Sequence, residues 1–175
     1  MNAQHSLDRE ISNLRFDVDR SRRYHQRRRA HYDRVHQFII FLVIISGSAA
    51  FADALGNAQW FGLATAVLGA LDLVGGFSHK SRDHEVLHRR FVDLAAQIEL
   101  GSSPTEKDLQ VWKSKVLAIE ADEPPIFWAV DQDCYNEIAV SWERPEYFRK
   151  MPPHRRLLKH FMRFDDVVAP TKLSR

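Results

Sequence analysis

His84-Glu85-Val86-Leu87-His88 is the one stretch whose residue types and spacing spell out a known chemistry. On a helix, imidazoles four residues apart share a face and can hold zinc, and the intervening glutamate can act as a general base. The surroundings argue against that use. Arg82, Asp83, Arg89 and Arg90 crowd the motif, and no H-x-x-G-x-x-H extension follows it. Glu99 would lie on the same helix, too far along to close a tetrahedral site. The chain holds nine histidines, so a chance match is unsurprising. The plainer reading is the polar side of a helix whose apolar positions are Leu87 and Phe91. No catalytic residue, metal ligand or cofactor is assigned, and a zinc peptidase stays as a minor alternative.

Asp72 carries the next chemistry. It stands inside an apolar run, where a carboxylate costs ~2.5–3.5 kcal/mol at a helix centre in a bilayer and is usually turned toward a bundle interior or water. Gly62, Thr65, Gly69, Asp72 and Gly76 are spaced 3, 4, 3, 4 and fall within about 80° of arc on one helix face. Small residues there let another backbone approach closely. Upstream, Ser46, Ala50 and Asp53 share a face. Two readings stay open. These are the seams along which two helices pack on each other, or one seam lines a water-filled path in an oligomer, where several copies of Asp72 would favour cations. Asp53 is read as an interface residue.

Charge is concentrated elsewhere. Arg22, Arg23, Arg27, Arg28, Arg29 and Arg34 precede the first apolar block with Tyr24 and Tyr32 among them. They are expected to meet anionic lipid headgroups, or simply to be solvated; nucleic acid is not expected as a partner. Glu120, Asp122, Glu123, Asp131, Asp133 and Glu137 cluster around Pro124-Pro125, as a solvated surface or as a counterpart to those arginines. Cys134, the only cysteine, sits between apolar positions and reads as a buried structural thiol.

What must position these groups is an all-α membrane protein. Residues 35–77 hold two apolar blocks of ~20 residues each, enough to span a ~30 Å hydrocarbon core. Only Asp53 and Asp72 are formally charged there. The spans are placed at about 35–55 and 58–77. Lys80, Arg82, Arg89 and Arg90 follow the second block, and the connecting turn has no Lys or Arg. Positive residues on both outer flanks predict a hairpin with both termini in the cytoplasm.

The N-terminal cytoplasmic basic helix, 1–34, carries Leu7, Ile11, Leu14 and Val18 as one narrow apolar stripe and runs into the first span unbroken. In the cytoplasmic helical region, 78–145, Leu87, Phe91, Leu94 and Ile98 form a face that Gly101 ends. Ser103-Pro104-Thr105-Glu106 predicts a capping box with proline at the first helical position. Leu109, Trp112, Val116 and Ile119 form the next stripe, and Phe127, Val130, Cys134 and Ile138 another. The tail, 146–175, is expected to hold at most one short helix through Leu157, Leu158 and Phe161. No segment alternates at period two, so no sheet is expected.

This arrangement resembles the SLATT family of bacterial two-transmembrane effectors. The matching parts are RRYHQRRRAHYDRVH leading into the first span, the short turn, a second span ending in LDLVGGFSHKSRDHEVLHRRFVDLAAQIE, and a helix ending in IEADEPPIFWAVDQDCYNE. The resemblance covers roughly residues 20–142. It implies an inner-membrane pore-forming effector of a defence or conflict system, acting as a homo-oligomer and causing growth arrest or death on a signal. It carries no catalytic residues. A separate sensor or nucleotide-signalling protein is the implied partner. The competing expectation from another class is a non-pore anchor or adaptor whose apolar hairpin only holds the soluble helices; a phage-type lysis protein fits less well with so large a charged part.

Overall fold

The computed structural model describes residues 2–52, 58–144 and 147–164, and every regular element among them is a helix. In chain order these are α1 (Asn2–Ala52), α2 (Ala58–Gly75), α3 (Phe77–Leu100), α4 (Glu106–Glu120), α5 (Trp128–Ser141) and α6 (Pro153–Leu158). With no proline before Pro104, nothing interrupts α1, which joins the basic segment to the first apolar block without a break. The expected turn at 55–59, and Asp53 with it, fall wholly or partly outside the described residues.

The chain divides into two compact units, one of Met1–Arg27 with Glu85–Arg175, the other of Arg28–His84. The part of α1 up to Arg27 thus clusters with the helices from Glu85 onward. In the first unit α1 is central. Ile11, Leu14 and Val18 meet Leu87, Phe91, Leu94 and Ile98 of α3 and Leu109, Trp112 and Ile119 of α4 in one core. Phe91 and Leu109 are fully enclosed. The opposite side of α1 packs on α5: Phe16 against Tyr135, Ile138 and Trp142, and Tyr24 against Val130 and Cys134. Phe16 meets Tyr135 and Trp142 edge-on, at 5.2 and 5.7 Å between centroids, the arrangement ring quadrupoles favour.

Local signals end these helices. The capping box of α4 is displaced two residues from the expected one. Thr105 is the N-cap, its hydroxyl taking the Asp108 amide, while Asp108 takes the Thr105 amide at 2.9 Å. Aspartate reaches back from the third helical position as well as glutamate does, so Pro104 precedes the cap and does not occupy the first turn. Helix α5 ends in a Schellman turn. The Arg144 amide donates to the Ala139 carbonyl at 2.8 Å and the Glu143 amide to Val140 at 3.1 Å, with Glu143 at φ 56°. The final helix is shorter than expected, and Phe161 lies beyond it.

In the second unit, α1 from Arg28 onward packs against α2 and the start of α3. Asp33, His36 and Ser46 of α1 meet Ser81, Asp72 and Thr65 in turn, so the two chain directions are opposed. Gly76 separates α2 from α3 at φ 57°. A Cβ on Gly75 would collide with the Phe77 ring, so both glycines of the pair are required by the break. Large apolar side chains point outward: Phe38, Ile44, Trp60, Leu73 and Val74 are all more than half exposed. By length and composition two helices could cross a membrane, and the apolar windows within Gln4–Ala50 and Ala58–Leu100 are 6% and 0% buried.

Candidate functional site

Polar residues of the second unit are gathered between the two apolar stretches. Ser46 Oγ lies 2.8 Å from Thr65 Oγ1. One hydroxyl donates across, and the other donates back to a carbonyl of its own helix, at Leu42 or Phe61, both within 2.9 Å. This is how a helix carries a hydroxyl without leaving it unsatisfied among apolar neighbours. Two turns further along α2, His36 Nδ1 lies 2.8 Å from Asp72 Oδ1, with both side chains mostly covered. Each polar group thus faces its own chain's other apolar stretch.

The small residues predicted on these faces divide. Gly47, next to Ser46, approaches Thr65, with 3.9 Å from where its Cβ would stand. Ala50 is half-buried. Gly62 and Gly69 are exposed and have nothing within 4 Å of the missing Cβ. At 100° per residue they stand about 40–80° around α2 from Thr65 and Asp72, at the edge of the seam. Gly76 is not on the helix face; it is the break itself.

The end of this unit nearest Arg28 is ordered around Tyr32. The His84 ring stacks on it at 5.6 Å and 19°, the Arg28 guanidinium lies 4.5 Å over it, and Arg28 also donates to its hydroxyl. Arg28 is fully buried. Burial, reinforced by the Arg28 and Arg34 charges, holds His31 below its usual imidazole range.

The six arginines predicted to meet headgroups take several partners. Arg23 lies 3.5 Å from Glu137, and Arg27 pairs with Glu137 and Asp133 of α5. Arg22 pairs with Asp19 at 2.9 Å and Arg29 with Asp33 at 3.6 Å. Of the six, Arg34 alone is exposed, its Nε donating to the Ala30 carbonyl at 2.9 Å. The acidic cluster is therefore, in part, the counterpart of this basic stretch. Sequence inspection missed what lies at its centre. His25, fully enclosed, stacks on Phe91 at 5.5 Å and reaches Glu123 at 2.9 Å, and Arg20 Nε lies 3.3 Å from the buried Asp131. Burial pushes the Asp131 carboxyl up, against the pull of Arg20. Beside them opens a cleft of about 370 Å³ whose walls include Tyr24, Glu120, Glu123, Pro124 and Trp128.

The H-E-x-x-H residues have other engagements. His84 stacks on Tyr32, Glu85 accepts from Arg89, and His88 Nδ1–H donates to the Arg22 carbonyl at 3.0 Å. Among the described residues no three His, Cys, Asp or Glu side chains converge as metal ligands. Cys134 is enclosed, and burial pushes its thiol up to about 12. Comparison with known proteins gives no match, whether to family models, curated proteins or solved structures.

Proposed function

We propose that this chain is a two-span effector of the bacterial inner membrane that oligomerises and permeabilises the bilayer on a signal. The carrying observation is the exposure of two long apolar stretches around a polar interior, with windows 6% and 0% buried. A soluble fold would bury such stretches; exposure of that extent marks a membrane or partner surface. The arginines and lysines outside both stretches favour a hairpin with the flanking helices in the cytoplasm. In an assembly, Gly62 and Gly69 offer flat backbone for a neighbouring copy's helix, and His36 and Asp72 supply the polar groups of a path. The resemblance to the SLATT family supports the defence role and a separate sensor as partner.

The test is dye release from liposomes carrying the purified chain. Wild type should release dye, while Asp72→Asn and Gly69→Leu should not, although both still float with the vesicles. Equal release by all three would remove the seam from the mechanism. Failure of the wild type to float with lipid would remove the two-span reading itself.

A second reading is an anchor or adaptor. The His36–Asp72 pair favours it, since a carboxylate with a partner in its own chain needs no lumen. Flotation without dye release at any protein-to-lipid ratio would select it.

A further inference from the structure

Residues 147–164 form a basic and apolar segment that neither of those readings uses. It contains Arg149, Lys150, Arg155, Arg156, Lys159 and Arg163 and no acidic residue; Asp165 and Asp166 are the first to follow. Four of its large apolar side chains are more than half exposed. Leu157 is 79% exposed, Phe161 70%, and Phe148 and Met162 51% each. Exposed apolar groups of this size are ordinary singly but informative together.

The segment is nonetheless fixed to the first unit, and by polar contacts. The Arg149 amide donates to Asn136 Oδ1 at 3.0 Å, and Asn136 Nδ2 donates back to the Arg149 carbonyl at 2.8 Å. The Arg149 guanidinium lies 5.4 Å over the Tyr135 ring, and Lys159 pairs with Asp133. Backbone and charge hold the segment on α5, while Phe148, Leu157, Phe161 and Met162 stay out with Lys150, Arg156 and Arg163, all exposed.

We infer that residues 147–164 are an interfacial lipid-binding segment, which lays Phe148, Leu157, Phe161 and Met162 into the headgroup–acyl boundary of an anionic bilayer. Cationic side chains with long stems beside apolar ones suit that boundary, where the charge stays at the phosphates and the apolar body enters. A second copy is a poor occupant, because it would bring the same cations to the same patch. Nucleic acid would satisfy the charge but leave the aliphatic groups of Leu157 and Met162 without purpose. The inference draws on the membrane reading above for the bilayer's presence, yet concerns a different part of the chain.

The test uses the full chain in lipid nanodiscs with a photo-crosslinking benzoylphenylalanine at Phe161, at Leu71 of α2, or at Leu117 of α4. Lipid adducts are counted in phosphatidylcholine and in a 7:3 mixture with phosphatidylglycerol. At Phe161 the adduct should exceed that at Leu117 at least about fivefold in the anionic mixture. It should fall severalfold in phosphatidylcholine alone or with Lys150→Glu and Arg156→Glu together. Adducts at Leu71 with none at Phe161 above the Leu117 level would overturn the inference and leave the two-span reading standing. Adducts at Phe161 without any at Leu71 would support the inference while removing the spans. Adducts at neither site would overturn both. Retention of a random RNA oligonucleotide that the charge variants abolish, without lipid adducts at Phe161, would overturn it in favour of nucleic acid.

Discussion

His36 Nδ1 and Asp72 Oδ1 stand 2.8 Å apart, so the only charged side chain described within the two apolar stretches is held by an imidazole thirty-six residues earlier. Neither group has a reason to be there without the other. Removing either leaves its partner poorly solvated, whereas removing both leaves two ordinary apolar helices. His36→Ala and Asp72→Ala should therefore each destabilise the second unit, and the double variant should be less impaired than their sum by about 0.5–3 kcal/mol. Thermal unfolding of the four proteins in one detergent measures this, and strict additivity would deny the coupling.

The Tyr24 hydroxyl accepts the Phe127 amide at 3.0 Å, at the start of a helix with no side-chain cap. Tyr24→Phe keeps the ring in its cluster and deletes that acceptor. The expected loss is about 1 kcal/mol of stability, the net worth of one hydrogen bond, read from denaturant unfolding. An unchanged midpoint would mean that the amide is served equally well elsewhere.

Asp131 should make the first unit lose stability as pH rises. Its carboxyl titrates higher when folded than when unfolded, because burial penalises the charge. From the ordinary aspartate value upward, the unfolded chain has released that proton while the folded one retains it, so the slope of stability against pH is negative across that window. Relative to Asp131→Asn, wild type should be favoured most below pH 4 and progressively less toward the folded value. Melting temperatures of both proteins from pH 3 to 8 check the sign; a wild-type advantage that grows with pH would reverse it.

Glu143 adopts φ 56° at the position after the α5 cap, where glycine is the usual residue. Glu143→Gly relieves the left-handed strain while preserving the Schellman bonds. A gain of about 0.5–1 kcal/mol is expected, seen as a higher unfolding midpoint; a loss would show that the side chain contributes more than its backbone strain costs.

Helical stripes were legible wherever apolar residues alone made the face. Ile11, Leu14 and Val18 announced one side of α1, and Leu87 through Ile98 the matching side of α3. The other side of α1 did not announce itself. Phe16, Arg20, Tyr24 and Arg27 share it at helical spacing, but two of the four are arginines, so no apolar period stands out. Only with Asp131, Asp133 and Glu137 opposite does that mixed face make sense as a buried one. Asp72 was conspicuous as a charge among apolar residues. Its partner was not, because His36 sits at the start of an apolar block where a histidine looks like a boundary residue.

Cys134 gives this chain an internal clock. With its thiol pushed up to about 12, only a minute fraction is thiolate near neutral pH. Enclosure hides that fraction from reagents as well. Alkylation therefore proceeds only when the helices around α5 part, and its rate under native conditions reports how often they do. The same silence leaves a probe cysteine placed on the apolar stretches or on residues 147–164 free of background, so insertion, lipid contact and local opening can be timed separately in one molecule.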